Sequence, residues 1–341
     1  MPSINFLASS VFQIVRESAK EHPNRMDSWI DAKTSASMVY KDAMPPWIVE
    51  FDNGVTLNGA MPYARIEGYR PLTLDLYLPP SPRRSSPSPL LIYIHGGGWR
   101  RGDSHRSGVF SDFPQLLAEI AARGYAVASI NYRLSAEARW PAQLDDAKAA
   151  LHYLAGMAED LQIDTSNTYV WGVSAGAHIA ASLGNPWTDR DSRAARPGPG
   201  ALKVQAVAVW YGVFCFQTLQ YQAESLGLSL PPQQLAPEVQ LLGYPTGSSD
   251  VPKGASPALE VSEETAPTLI LVGDKDEKVP YLQSIQLKEA LETANVSHHL
   301  IVYPDVGHSF ICNHHSAITH ETNLKALNTT IQFFDARAFK Q

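Results

Sequence analysis

The stretch Thr168-Tyr-Val-Trp-Gly-Val-Ser-Ala-Gly176 decides the fold of this chain. Its first four residues have the apolar character of a buried strand, and the pentapeptide that follows, Gly172–Gly176, is typical of a sharp turn into a helix. Glycines at both ends of the pentapeptide remove side chains that would clash in so tight a turn. The turn exposes the serine at its centre, and Ser174 is therefore a candidate nucleophile. A serine that only shapes a turn is the alternative, because this pentapeptide is common.

Strand and helix patterns alternate on both sides of this turn. Apolar runs of strand length occur at 72–78, 90–94, 125–130, 168–171, 204–210, 268–272 and 299–303. Helical patterns occur at 114–123, 140–160, 178–183, 281–293 and 323–339. The alternation predicts an α/β fold with a mostly parallel central sheet and helices on both faces. Ligands of such sheets bind beyond the carboxyl ends of the strands, so residues directly after strands are the candidates for chemistry.

The start and the lapse of this alternation suggest how the chain is divided. Residues 1–70 are predicted to form an N-terminal extension with a helix at Ile4–Lys20, which either packs on the core or covers part of the active-site mouth. Residues 71–341 are predicted to form the catalytic domain. The alternation lapses at about 213–256, and this segment is the best candidate for a lid.

Composition narrows the classes of partner. The 341 residues carry a formal net charge of −7, which argues against nucleic acid because phosphate binding needs a basic surface. Two cysteines, Cys215 and Cys312, are too few for a disulfide framework or a cysteine-rich metal site. No window approaches the roughly 20 apolar residues of a membrane span, and the N-terminal apolar residues are interleaved with polar ones. A cytoplasmic protein is expected, and its oligomeric state does not follow from the sequence.

The motif His95-Gly-Gly-Gly-Trp99 directly follows the strand pattern at 90–94. The tetrahedral intermediate of acyl transfer carries an oxyanion that backbone N–H groups stabilise, and glycines allow the main chain to approach it closely. Gly97 and Gly98 are the predicted donors, together with Ala175 from the turn, and Gly96 is a weaker candidate. The histidine of this motif is expected to brace the loop. A flexible glycine loop without such a role is the alternative.

An acidic segment and a histidine follow the next two strand patterns. Gly273-Asp-Lys-Asp-Glu-Lys-Val-Pro280 comes after 268–272, and His308 comes after 299–303. Serine, acid and histidine in this order form the catalytic triad of one large hydrolase fold. His308 is the predicted base and Asp276 the predicted acid that orients it. Asp274 competes for the role of the acid and Asp305 is a weaker candidate; a solvated acidic turn and a structural histidine are the alternatives.

Several motifs in a fixed order then make the chain resemble a known group. They are His95–Trp99 followed by Arg100–Asp103, Asn131–Ser135 before Trp140–Asp146, Gly172–Gly176, Ala255–Pro257, Gly273–Pro280 and Gly307–Phe310. Over about 72–335 the chain resembles the α/β-hydrolase fold esterases of the hormone-sensitive-lipase-like and feruloyl-esterase-like groups. The resemblance implies ester hydrolysis through an acyl-enzyme, without metal or organic cofactor. It also implies Ser174 as nucleophile, Asp276 as acid, His308 as base and residues 96–98 as the oxyanion loop.

The expected substrate is a carboxylic ester of a small molecule. Hydrolysis of an amide such as an arylformamide uses the same machinery, as does acyl transfer or lactone processing in a biosynthetic pathway. A ligand-binding protein that has lost catalysis is the remote alternative. Such relatives usually lose the histidine, whereas this chain retains Ser174, Asp276 and His308.

Departures from the group bear on the substrate pocket. Ala177-His178 stands where relatives often have a further glycine, and Gly212-Val-Phe-Cys-Phe216 suggests an apolar wall where relatives often carry a polar residue. Trp99, Tyr211 and Phe214 are the main pocket candidates, with Trp140 and Phe216 behind them; core positions are the alternative. Arg100, Arg101 and Arg106 form either a site for an acidic substrate or a solvated loop.

Overall fold

The structure, a computed structural model, describes residues 47–80, 86–108, 110–187, 203–252 and 254–339. These residues belong to the second of two compact units of the chain, which spans residues 45–341. The helix predicted at Ile4–Lys20 lies outside the described residues. Among the residues that are described, no helix combines the length and the apolar character needed to cross a membrane.

A nine-stranded sheet forms the centre of the described part of the chain, in the order β1-β2-β3-β5-β4-β6-β7-β8-β9. Its strands are β1 (Trp47–Glu50), β2 (Thr56–Ala64), β3 (Leu72–Leu78), β4 (Ser88–Ile94), β5 (Ala126–Ile130), β6 (Ile163–Val173), β7 (Val204–Trp210), β8 (Thr268–Gly273) and β9 (His298–Tyr303). Strands β4 to β9 run parallel to one another. Strands β1, β2 and β3 form one edge of the sheet, where each pairs antiparallel with its neighbours. The mostly parallel sheet predicted from the sequence is confirmed.

The structure places two strands before the boundary predicted at residue 71, because the sheet begins at Trp47. Strand β2 pairs with β3 along most of its length, and alternate residues of β2 are buried. This half-buried alternation is the usual pattern of a strand with one face on the core. The alternation is present in the sequence at 56–64. It does not predict a strand there, because the segment contains a glycine and a proline, which are depleted in strands.

Helices cover both faces of the sheet. They are α1 (Phe113–Ala121), α2 (Ala142–Gly156), α3 (Ala158–Leu161), α4 (Ala175–Gly184), α5 (Phe216–Ser225), α6 (Pro237–Leu242), α7 (Leu282–Thr293) and α8 (Ser316–Ala338). Successive side chains of a strand point to opposite faces, so Ile92 belongs to a core cluster with α2 and α4. Its neighbour Tyr93 belongs to the second cluster, with α1 and α8.

Two helix boundaries differ from the sequence prediction. The helix expected at 140–160 is divided at Met157, whose backbone leaves the helical region, into α2 and the short α3. Helix α8 begins at Ser316, seven residues before the predicted start at Asn323. Its first turns are largely exposed to solvent and therefore carry no apolar periodicity from which a sequence pattern could be read.

Candidate active site

Ser174 lies in the sharp turn between β6 and α4, with φ 52° and ψ −119°. A positive φ is costly for a residue with a side chain and persists only where the surroundings enforce it. Here they do, because the flanking glycines pack against backbone. A Cβ on Gly172 would lie 2.2 Å from the carbonyl oxygen of Gly176, and one on Gly176 would lie 2.1 Å from that of Ile94. The pentapeptide thus needs both glycines to present the serine hydroxyl.

The structure brings Ser174, His308 and Asp276 together in a chain of hydrogen bonds. The Nε2 atom of His308 lies 2.9 Å from Ser174 Oγ, and its Nδ1 lies 2.7 Å from Asp276 Oδ2. The other carboxylate oxygen of Asp276 accepts from the backbone N–H groups of Lys278 and Val279, each at 2.9 Å. Asp276 is buried and His308 is only partly accessible. This arrangement fixes the imidazole with Nδ1–H facing the carboxylate and Nε2 facing the serine.

The two competing carboxylates do not reach the histidine. Asp274 accepts the backbone N–H of Asp305 at 2.8 Å and lies 3.6 Å from the Lys275 ammonium group. It therefore joins the turn after β8 to the turn after β9, to which Asp305 contributes its backbone N–H. Sequence order alone did not separate these acids, whereas the geometry places only Asp276 next to His308.

The loop after β4 turns through three consecutive residues of positive φ: Gly97 at 113°, Gly98 at 62° and Trp99 at 55°. A Cβ on Gly97 would lie 2.1 Å from the carbonyl oxygen of Arg101, so no side chain fits there. Gly96 lies against the nucleophile, since its Cβ would be 3.2 Å from Ser174 Cβ. We refer to residues 96–99 as the oxyanion loop.

The backbone N–H groups at the loop and at the start of α4 are available to a ligand. Within the described ranges, those of Gly97, Gly98 and Ala175 donate to no protein acceptor. All three residues line the same cavity as Ser174. Gly96, the weaker candidate, lines it as well.

His95 supports the oxyanion loop through a hydrogen bond to the Gly96 backbone and a ring contact with Tyr132. Its ring is buried and stacks on Tyr132 with centroids 4.3 Å apart, and the Tyr132 hydroxyl donates to the His95 carbonyl at 3.0 Å. Burial lowers the pKa of His95 to about 4, so the ring is neutral near pH 7. Its Nδ1–H then donates to the carbonyl of Gly96 at 2.7 Å. This bond connects the buried ring to the backbone of the oxyanion loop, as expected for a histidine that braces the loop.

A cavity of about 1220 Å³ opens above Ser174. Trp99 and Tyr211 line it, and the Tyr211 ring lies 4.8 Å from that of His308. Phe214 does not line it, so its prediction as a pocket residue is wrong. Its ring is fully buried and packs where a Cβ on Gly212 would otherwise lie, 2.8 Å away. Trp140 and Phe216 are likewise absent from the cavity wall.

The residues at 213–256, which we call the lid segment, supply one wall of this cavity. It contains α5 and α6 and lines the cavity with apolar and polar side chains, which are Val213, Leu219, Gln220, Leu228, Ser229, Leu230, Pro231, Gln233, Ala236, Pro237, Glu238 and Thr246. Burial raises the pKa of the Glu238 carboxyl. The sequence predicts a lid at about 213–256 but does not indicate which of its side chains face the cavity, because that depends on contacts with distant parts of the chain.

The three arginines predicted near the site all line the cavity. The Arg100 guanidinium donates to the carbonyl of Ala236 at 2.8 Å and so connects the oxyanion loop to the lid segment. Arg106 lies 3.9 Å from Asp103 and is largely exposed. Exposed arginines with such long contacts are typical of a solvated rim.

Comparison with known proteins decides the family. The model of the BD-FAE family matches residues 74–291, more than half of the chain. The chain belongs to the BD-FAE family. The chain is 31% identical over 244 residues to an ethyl acetate hydrolase of Pseudomonas putida, with 70% of this chain and 71% of the relative aligned. It is also 26% identical over 227 residues to esterase LipC of Mycobacterium tuberculosis, with 66% and 54% aligned.

Solved structures show the same architecture. A truncated form of a carbohydrate esterase from gut microbiota superposes with a TM-score of 0.68 and 26% identity, covering 85% of this chain and 99% of the other. These matches establish the α/β-hydrolase fold predicted from the motifs. The chain spans about half the length of the first curated relatives it matches.

Proposed function

We propose that this BD-FAE family member hydrolyses a carboxylic ester of a small molecule through an acyl-enzyme, with Ser174 as nucleophile. The observation that carries the proposal is the hydrogen-bonded chain from Ser174 Oγ through His308 to Asp276, at 2.9 and 2.7 Å. These distances lie in the range at which a base removes a proton from a nucleophile. Relatives named esterase and ethyl acetate hydrolase support the ester as the bond that is cleaved.

The geometry supplies each step of this reaction. Ser174 Oγ attacks the carbonyl carbon while its proton passes to His308 Nε2, and the imidazolium is stabilised by Asp276 through Nδ1–H. The carbonyl oxygen becomes an oxyanion that receives hydrogen bonds from the N–H groups of Gly97, Gly98 and Ala175. His308 then gives its proton to the departing alkoxide, which leaves as the alcohol. Water, deprotonated by the same nitrogen, attacks the acyl-enzyme and releases the acid and the free serine.

The size and lining of the cavity support a substrate larger than a short alkyl ester. Its volume of about 1220 Å³ exceeds the roughly 300–1,000 Å³ of most small-molecule pockets. The lid segment adds Gln220, Ser229, Gln233 and Thr246 to the wall, and each can hydrogen-bond to hydroxyl groups. One structural relative is named a carbohydrate esterase. An acylated saccharide is therefore the first substrate class to test beside simple esters.

The decisive experiment combines turnover with covalent labelling. The wild type is expected to release nitrophenol from short-chain nitrophenyl esters and to react with a fluorophosphonate probe. Ser174→Ala should abolish both, because among the described residues no other hydroxyl is bonded to the His308 ring. Folding of the variant is checked by its melting temperature. A wild type that neither turns over nor labels would favour a non-catalytic binding protein of the same fold.

The same panel separates the ester from the other reactions that this machinery supports. A formanilide tests amide hydrolysis, and an added alcohol tests acyl transfer by the appearance of a new ester. Ester turnover is expected to exceed both.

The cytoplasmic location expected from the N-terminal sequence stays a prediction, because the residues on which it depends lie outside the described ranges.

A further inference from the structure

His178 lies on α4, one turn after the nucleophile, and its side chain is fully buried. Its ring contacts three aromatic rings from three different parts of the chain. The centroid distances are 5.3 Å to Trp99, 4.6 Å to Trp140 and 5.2 Å to Phe216. These rings belong to the oxyanion loop, the segment before α2, and the first turn of the lid helix α5. His178 is thus the one ring among the described residues that touches all three.

A hydrogen bond fixes the orientation of this ring. His178 Nε2 lies 2.8 Å from the carbonyl oxygen of Ala255, which is an acceptor only, so the nitrogen carries the proton. Burial lowers the pKa of His178 to about 4, so the ring stays neutral near pH 7. Within the part of the chain that the structure describes, its buried Nδ1 has no hydrogen-bond partner. The ring therefore serves neither as a base for Ser174 nor as part of a proton path to it.

Trp99 is the neighbour of His178 that bears on the chemistry. It follows Gly98 directly, lines the cavity, and has a φ of 55°, a strained value for a residue with a bulky side chain. Such strain persists only when surrounding contacts hold it. Among the described residues, the indole packs on the perpendicular His178 ring, at an interplanar angle of 87°, and on Phe216 at 5.8 Å. The Trp99 carbonyl accepts the backbone N–H of Ser135 at 2.7 Å, so the ring contacts act together with this bond.

From these contacts we infer that His178 is a positioning residue, whose ring holds Trp99 and thereby keeps the oxyanion loop in its catalytic conformation. The inference rests on the proposed function. Without the ring, Trp99 can relax from its strained φ, and the N–H groups of Gly97 and Gly98 move away from the oxyanion. Misplacement of a catalytic group by about 1 Å can cost ~100-fold in rate. Substrate binding depends on the whole cavity and changes less.

The test separates the ring of His178 from its hydrogen bond. His178→Gln retains a donor for the Ala255 carbonyl but removes the ring, whereas His178→Phe retains the ring but removes the donor. We expect His178→Gln to lower kcat for a nitrophenyl ester by ~10-fold or more, with KM changed less than about 3-fold. His178→Phe should keep kcat within about 3-fold of the wild type, at a lower melting temperature. His178→Leu, a second ringless variant, covers the case in which the buried glutamine prevents folding.

A matched control and a pH profile exclude a general loss of structure. His152 is also a buried histidine whose Nδ1 lies 2.8 Å from a backbone carbonyl, that of Lys148, on α2. His152→Gln should lower the melting temperature without lowering kcat. The pH dependence of kcat/KM should be the same in the ringless His178 variants as in the wild type.

Two results would overturn the inference while leaving the proposed function intact. One is equal loss of kcat in the ringless variants and in His178→Phe. The other is a kcat that falls in step with the melting temperature in every variant, His152→Gln included. A wild type that shows neither turnover nor fluorophosphonate labelling would remove the proposed function, and the inference with it.

Discussion

Of the proposed catalytic residues, Ser174 and His308 line the same cavity as the lid segment, but the two regions are held in different ways. Ser174 lies in the turn directly after β6, Asp276 follows β8, and His308 follows β9, so the sheet brings them to one edge. The described residues of the lid segment contain no strand. Its first turn is held by Gln283 of α7, whose side-chain oxygen accepts from the backbone N–H groups of Phe214 and Cys215 at 2.8 and 2.7 Å. The sheet and the turns at its edge position the first region, whereas side-chain hydrogen bonds from α7 hold the start of the second.

The largest expected effect comes from the acid of the catalytic residues. Asp276→Asn should lower kcat by about 10⁴-fold, because an amide stabilises neither the correct tautomer nor the imidazolium. Asp274→Asn should lower it by no more than a few-fold, since Asp274 contacts Asp305 and Lys275 rather than His308. Steady-state kinetics on one nitrophenyl ester compare the two variants. A larger loss of kcat from Asp274→Asn than from Asp276→Asn would show that Asp274, and not Asp276, is the acid that orients His308.

The next effect comes from the oxyanion loop. Gly97→Ala should lower kcat by roughly 10²–10³-fold, as the loss of an oxyanion donor does, because its Cβ would lie 2.1 Å from the carbonyl oxygen of Arg101. Gly68→Ala is the matched control. Gly68 also has a positive φ, of 74°, but a Cβ there would meet nothing within 4 Å. The control should lose a little stability and no activity; equal kinetic losses in both would contradict the role of the loop.

The third prediction concerns how the lid segment is held. Gln283→Leu leaves the buried N–H groups of Phe214 and Cys215 unpaired, which should cost about 1–3 kcal/mol of unfolding free energy. KM for large esters should rise more than KM for a nitrophenyl acetate, because the lid segment contacts only the larger substrate. Gln205→Leu, which removes an exposed amide bonded to Ser166, is the control. Loss of kcat on the small ester with unchanged KM values would show that Gln283 acts on the catalytic residues instead.

The last prediction concerns stability at acidic pH, where the effect on catalysis is the smallest. His95 and His178 have pKa values of about 4 in the folded chain, below the ordinary value of about 6.5. As the pH falls, these two histidines are protonated in the unfolded chain before they are protonated in the folded chain. Their contribution to the unfolding free energy is therefore fully present above about pH 6.5 and is lost as the pH drops towards 4. Each histidine should cost about 2 kcal/mol at pH 5 relative to pH 8. Denaturant unfolding at both pH values measures this loss, and His178→Phe should reduce it; an unchanged pH dependence would mean that His178 is not buried in its neutral form.

The two regions also differ in what the sequence could predict. Strands β3 to β9 and the catalytic residues follow from apolar runs and from the residues directly after them, because parallel strands end at one edge of the sheet. Choosing Asp276 over Asp274 needed the actual path of the loop. The pocket role of Phe214 was wrong because the lid segment turns inward after Gly212 and buries that ring. Neither Gln283 nor Glu238 carries a local signal, since their positions depend on contacts between distant segments.

The most direct test of the account is to find where the acyl group resides during turnover. Wild-type protein is mixed with a nitrophenyl ester, quenched with acid within the first turnover, digested and analysed by mass spectrometry. The account predicts an acyl adduct on the peptide that contains Ser174, and its absence in Ser174→Ala. An adduct on another residue, or product release with no adduct under conditions that give a burst of nitrophenol, would contradict it.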